Sequence, residues 1–356
     1  MIKTNIQTYS NMKKTIFTLA IVAMLAGICS CTKEKEGVYS PKQKIQSVYF
    51  ESKGLQGEEV FYEIPKYKSE AWTWVDDRLD RISYFEPMNN IDGENDQVSI
   101  ELALTQLFTY DKNNRLTKSE ILGVINMTAD YTYDGDFLET LTITEDFRQT
   151  LAFRFNHTDK KITSIDMTMK EDMYLDNRAA KQLMRTNPLR FVMGTEAAER
   201  TMAATMEYTK LMAQRGCTKG ETTVTLKVEW DGDNISKISG SSMGESMVLT
   251  YKYDNKNNPY YGLFDIVSFA SENVSLFLPL SRHNITSVTE TFVEDGEEES
   301  HTSNYTYTYN GKDYPTSKTH DEIGQRYDWV YNEETDNYEY VDLGEYHYIR
   351  TEYYEY

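Results

Sequence analysis

The residues that could do chemistry are scattered along this chain. Its five histidines, His157, His283, His301, His320 and His347, never stand four apart and never enter an HExxH cluster, the arrangement that brings two imidazoles onto one zinc ion. A single His or Met can still ligate haem iron. Met193, Met202, Met206 and Met212 fall in a stretch of helical composition, but methionines at that spacing equally fill a core. Asp134-Gly-Asp136, Asp231-Gly-Asp233 and the acidic run Glu294–Ser300 offer oxygen ligands for calcium. Each is shorter than a twelve-residue calcium loop and lacks its terminal Glu, so hairpin turns and a solvated tip account for them. No P-loop or GxGxxG follows a strand. Among 57 acids nothing singles out the pair that glycoside hydrolysis needs. The expectation is a non-enzymatic chain with no catalytic residue and no bound metal.

The N-terminus reads as an address. Lys13 and Lys14 form a positive start, Ile16–Ile28 is an uncharged run of thirteen residues, and Ile28-Cys29-Ser30-Cys31 follows. Such a run is too short to span a bilayer as a helix but suits a secretory signal. The tetrapeptide is similar to a lipobox, with Cys31 as the lipid-attachment residue, and Met12 makes a more compact start than Met1. The expected organisation is a lipoprotein signal peptide at 1–30, a tether at 31–45 and a folded domain at 46–356. Loss of Lys3, Lys13 and Lys14 takes the net charge from −20 to −23, which repels nucleic acid. Cys217 is then the one unlipidated cysteine, so no internal disulfide is expected.

Behind that address the chain carries 28 Tyr, 14 Phe and 4 Trp against 7 Pro, a composition that suits pleated, half-buried surfaces. The aromatics recur as aromatic-x-aromatic-Asp/Asn, a short polar turn, then Leu or Ile. Copies start at Trp72, Phe108, Tyr131, Phe153, Val228, Tyr251, Tyr307 and Trp329. Tyr110 to Tyr133 is 23 residues, Tyr133 to Phe155 is 22 and Trp230 to Tyr253 is 23. Two strands and two turns occupy about that length, so each copy predicts one β-hairpin. Alternation sets both rings of a copy on one face. Asp134-Gly135, Asp231-Gly232 and Asn310-Gly311 would supply the positive φ of tight turns.

Two gaps break the period. Phe155 to Trp230 is 75 residues, and its middle, 176–216, has the composition of a helical insertion broken near Asn187-Pro188. Tyr253 to Tyr309 is 56 residues and holds a long connection, 257–264. The predicted fold is mainly β: an antiparallel meander of about 22-residue hairpins with a helical insertion near 176–216. One long sheet, a sandwich and a closed sheet all fit the pattern, and an open sheet would use the helices to cover its edges.

Tyr251-Lys-Tyr253-Asp254 and Tyr307-Thr-Tyr309-Asn310-Gly311 resemble the tyrosine-aspartate repeats of RHS proteins. Ser30-Cys31-Thr-Lys-Glu-Lys-Glu36, Gly37-Val-Tyr-Ser-Pro41, Trp72-Thr-Trp74, Asn258-Pro259-Tyr-Tyr-Gly262-Leu263 and Asn284-Ile285-Thr286 are similar to a family of uncharacterised Bacteroidetes lipoproteins. That resemblance implies a porphyrin or haem ligand, although it carries over no contacting residue. The Lys/Glu-rich stretch after Cys31 resembles signals that place lipoproteins on the outer face of the outer membrane. The leading expectation is a lipid-anchored binding protein for an apolar or aromatic ligand. A glycan-binding surface, a structural repeat scaffold with a protein partner and an envelope hydrolase are the alternatives.

Overall fold

The computed structural model describes residues 35–89, 98–123, 126–145, 148–170, 221–242, 245–264, 279–294, 297–332 and 337–356. The predicted helices at 176–216, with Cys217 and the four methionines, lie outside the described residues, as does Cys31.

The meander closes. The first eight strands are β1 (Ser47–Gln56), β2 (Glu59–Val75), β3 (Arg78–Asn89), β4 (Val98–Tyr110), β5 (Leu116–Leu122), β6 (Met127–Asp134), β7 (Phe137–Glu145) and β8 (Arg148–Thr158). The second eight are β9 (Lys161–Lys170), β10 (Glu221–Asp231), β11 (Asn234–Ser242), β12 (Glu245–Asn257), β13 (His283–Glu294), β14 (Glu297–Tyr309), β15 (Pro315–Asn332) and β16 (Asn337–Glu355). Each pairs with its sequence neighbours, and β1 pairs β16 antiparallel from Ser47↔Glu355 to Leu55↔His347, which completes a sixteen-strand barrel. Closure removes sheet edges altogether, so no helix is needed to cover one.

All aromatic-x-aromatic copies but one lie at the ends of even-numbered strands, and so at one end of the barrel, here the turn end. The exception is Trp329-Val-Tyr331-Asn332, which ends β15 at the opposite end. Its place is taken by Tyr354-Glu-Tyr356 at the end of β16.

The turns follow from local chemistry. Asp76 and Asp77 (φ 49° and 65°) and Asp159 and Lys160 (φ 51° and 69°) make two-residue loops, the positive φ at both positions matching the twist of a hairpin. Gly135 and Gly232 take φ of 61° and 56° where the sequence places a glycine. Gly311 does not: the 310–314 loop is longer, and the left-handed residue is Asp313 (φ 62°). Asn310 N donates to Tyr314 O at 2.9 Å, the same closure that Asp111 N makes with Arg115 O.

The two faces of the wall differ sharply. On β10, Val224, Leu226 and Val228 are buried while Thr223, Thr225 and Lys227 are exposed. Leu79, Ile82, Leu138, Ile165, Ile235, Ile238 and Leu249 are all 0% exposed. The buried face is the inner one, because side chains pointing away from a closed wall stay accessible in the chain by itself. The outer face carries cross-strand hydroxyl pairs such as Thr132–Thr140 (2.7 Å), Thr168–Thr223 (3.0 Å) and Thr289–Thr302 (2.9 Å). Cross-strand pairs of this kind each contribute a few tenths of a kcal/mol, up to about 1.

Candidate functional site

A round barrel of sixteen strands encloses more space than its own side chains fill. Here the turn end is filled by two further stretches. Tyr39 and Ile45 come from the segment before β1, inside the stretch read as a tether, and Leu263, Phe264 and Leu280 come from the connection between β12 and β13. All five belong to the same buried cluster as the inner wall. Tyr39 OH donates to Pro259 O (2.7 Å) and ties the two segments together. Tyr131 OH donates to Phe264 O (2.8 Å). Behind Tyr131 a buried polar row, Ser119, Gln106 and Tyr84, crosses three more strands at 3.2 to 3.4 Å spacings.

The repeated rings are part of this seal. In three copies the two rings lie against each other, Trp72–Trp74 (6.3 Å), Tyr251–Tyr253 (6.3 Å) and Tyr307–Tyr309 (6.0 Å). The second ring sits at a β-bulge in Trp74, Tyr110, Tyr133, Trp230, Tyr253 and Tyr309. From there its polar tip reaches back to a backbone carbonyl, except in the Tyr309 copy, where Tyr309 OH donates to Asp254 and Tyr307 OH takes the carbonyl of Ile285 (2.8 Å). Tyr110 OH donates to Leu79 O (2.8 Å), Tyr133 OH to Leu116 O (2.6 Å), Trp230 Nε1 to Ile162 O (2.7 Å) and Tyr253 OH to Ile235 O (2.7 Å). Trp74 Nε1 bonds Ile45 O (2.7 Å) and Tyr356 OH bonds Pro315 O (2.9 Å), so the row runs through to the copy that closes the barrel. Tyrosine and tryptophan recur at this position because each combines an apolar ring with one donor. Phe155 carries no donor and packs edge-on against Phe264 instead.

The acidic residue is equally occupied in the Tyr110 and Tyr253 copies. Asp111 Oδ1 accepts from the backbone N–H of Asn113 (2.7 Å) and Arg115 (3.0 Å), and its other oxygen takes Arg115 Nε (3.0 Å). Asp254 accepts from Lys256 N, from Asn284 and from Tyr309 OH. These are turn caps. Among the described residues no three His, Cys, Asp or Glu converge to hold a metal ion.

Away from the turn end the inner face of β15 and β16 turns polar. Register places Lys318 opposite Glu352, His320 opposite Arg350 and Glu322 opposite Tyr348. Lys318 Nζ lies 3.2 Å from Glu352 Oε1. The Arg350 guanidinium, 7% exposed, donates to Glu322, and Tyr354 OH donates to Glu352. His320 lies against Tyr305, 4.9 Å between ring centres. Burial first, then the nearby Arg350, Lys318 and His301, pulls its pKa down to about 3. The imidazole is therefore neutral at physiological pH. Across the strands, burial likewise raises the pKa of Glu290, which stands opposite His301. Arg350 Nε and Tyr251 OH are among the buried polar atoms with no hydrogen-bond partner among the described residues. The belt offers matched charges and a neutral imidazole.

Of the five histidines, His320 is part of this belt and His301 stands near it, opposite Glu290. His157 packs on Phe137 (5.1 Å), His283 Nδ1 pairs with Asn234 Nδ2 (3.0 Å), His301 is exposed, and His347 Nδ1 faces Asp321 (3.1 Å). Lys318, Glu322, Arg350 and Glu352 were not singled out from sequence. Their signal is alternation, Lys-x-His-x-Glu on one strand and Arg-x-Glu-x-Tyr on the next, and it becomes readable once the two are known to pair.

No family model matches the chain, and no curated protein matches it, so these comparisons support neither resemblance drawn from the sequence nor its porphyrin ligand. Solved structures similar to it include a porin-like protein from Bacteroides uniformis ATCC 8492, at 12% identity and a TM-score of 0.44. Its alignment covers 88% of this chain and 98% of that one. A porin-like protein from Bacteroides vulgatus ATCC 8482 shows 12% identity over the same shares, with a TM-score of 0.28. A membrane-spanning barrel carries its apolar band outward and its polar residues inward. Among the described residues the fully buried Leu and Ile face inward and the exposed face is largely Thr and charged side chains, with Ile100, Leu102, Leu122 and Ile323 exposed among them.

Proposed function

We propose that this chain is a non-catalytic lipoprotein of the cell envelope, anchored through Cys31, whose barrel stands in water beside the outer membrane. The observation that carries the reading is the polarity of the wall, with hydroxyl and charged side chains outside and fully buried Leu and Ile inside. Threonine, lysine and glutamate facing lipid would cost up to about 2–4 kcal/mol for each cation near the midplane. The test replaces residues 1–31 with an ordinary cleavable export signal. Residues 32–356 are then expected as folded, detergent-free soluble protein in the periplasm. Retention in the membrane fraction through a carbonate wash would overturn the proposal.

A binding role remains the reading of the interior. The ring-lined surface expected for an apolar or aromatic ligand is used up in joining repeats, so a ligand of that kind, porphyrin included, has the inner belt as its site. The unpartnered Arg350 Nε and Tyr251 OH favour it, since buried polar atoms are ordinarily satisfied. Haemin added to the soluble protein would shift its Soret band and lose that shift in Arg350→Met. An unmoved band at micromolar haemin removes the porphyrin version.

A further inference from the structure

We infer that the turn end of the barrel faces the lipid surface and the opposite end projects away from it. The inference rests on the lipid-anchor reading of Cys31. Only residues 32–36 separate Cys31 from Gly37, and six extended steps reach about 20 Å at most.

Gly37 is fixed in place. Its carbonyl accepts the backbone N–H of Leu116 at 2.9 Å, at the start of β5 and therefore at the turn end. Its φ is +77°, and a Cβ there would stand 1.9 Å from the Tyr133 hydroxyl, so only glycine fits. The segment that follows enters the barrel, with Tyr39 and Ile45 buried. The leash thus leaves from the turn end, whereas a ten-residue strand such as β1 carries the far end roughly 25 Å further off, allowing for tilt.

Charge points the same way. The turn end interleaves cations with its turn carboxylates: Lys44 pairs with Asp77, Arg115 with Asp111 and Lys256 with Asp313. Two of the far connections are strongly acidic. The stretch 294–299, between β13 and β14, holds Glu294, Asp295, Glu297, Glu298 and Glu299 and no cation. The long β15–β16 hairpin carries seven acids between 326 and 345 against the single Arg326. Anionic headgroups repel such a rim and tolerate a balanced one.

The experiment uses full-length lipidated protein in liposomes whose headgroups carry a nitroxide quencher, with Cys217→Ser and a single fluorophore at Asn113→Cys or at Glu58→Cys. Quenching at 113 should exceed that at 58 several-fold. Twenty Gly/Ser residues inserted between Glu36 and Gly37 should erase the difference. Equal quenching in the uninserted protein, or stronger quenching at 58, overturns the orientation. Failure of the protein to incorporate labelled fatty acid at Cys31 overturns the anchor reading itself, and the orientation with it.

Discussion

The inner wall has two regions, and they are built on different principles. At the turn end, rings and aliphatic side chains pack with little exposure, and most copies place one polar tip on a backbone carbonyl of the neighbouring repeat. Along β15 and β16 the same inward positions hold Lys318, His320, Glu322, Arg350 and Glu352, matched in pairs. The first region is a chain of equivalent contacts, in which each repeat needs only its neighbour. The second is a one-off network between two strands, so its parts depend on each other. The contrast separates what the repeat does for stability from what the barrel keeps for a site.

Breaking the belt has the largest expected effect. Arg350→Met leaves Glu322 without its partner in a nearly buried position, at a cost of about 3–5 kcal/mol in urea unfolding. The double variant Arg350→Met/Glu322→Leu should recover most of that loss. If the single variant costs nothing, the belt is solvated and the contrast fails.

The repeat region should respond locally and modestly. Tyr133→Phe removes one hydrogen bond to Leu116 O and keeps the ring, for about 0.5–1.5 kcal/mol. Combined with Tyr253→Phe, on the far side of the barrel, the losses should add to within about 0.5 kcal/mol. Strong coupling between them would show that the repeats are not independent.

The smallest effect at neutral pH sharpens the comparison from the belt side. His320 is neutral in the fold down to about pH 3, while the unfolded chain takes up its proton below about 6.5. Its contribution is therefore complete above pH 6.5 and is lost as pH falls from there towards 3. Wild-type stability should drop across that window more steeply than that of His320→Gln, followed by chemical denaturation at fixed pH steps. Identical slopes would place the imidazole in water.

Much of the fold was readable because hairpin chemistry is local. A 22-residue period, inward ring pairs and positive-φ turns at Asp134-Gly135 and Asp231-Gly232 all follow from alternation and turn geometry within one copy. Where the pattern misled, at Trp329–Asn332, the letters matched but the strand ran the other way, and direction is not written in any four residues. The belt stayed hidden for a related reason. Lys318 and Glu352 are 34 positions apart, and nothing local marks them as facing partners.

The sequence by itself determined the unit: a hairpin with an aromatic inner face, an acid-capped turn and a polar outer face. It also supplied the lipobox-like start on which the anchor proposal stands. Only the tertiary structure decided that the units close on themselves, because closure depends on β1 meeting β16 across the whole chain. It also decided which face is enclosed, and hence that the apolar side fills a lumen instead of meeting lipid. A strand's alternation fixes that two faces differ, while the curvature of the complete sheet fixes which of them is inside.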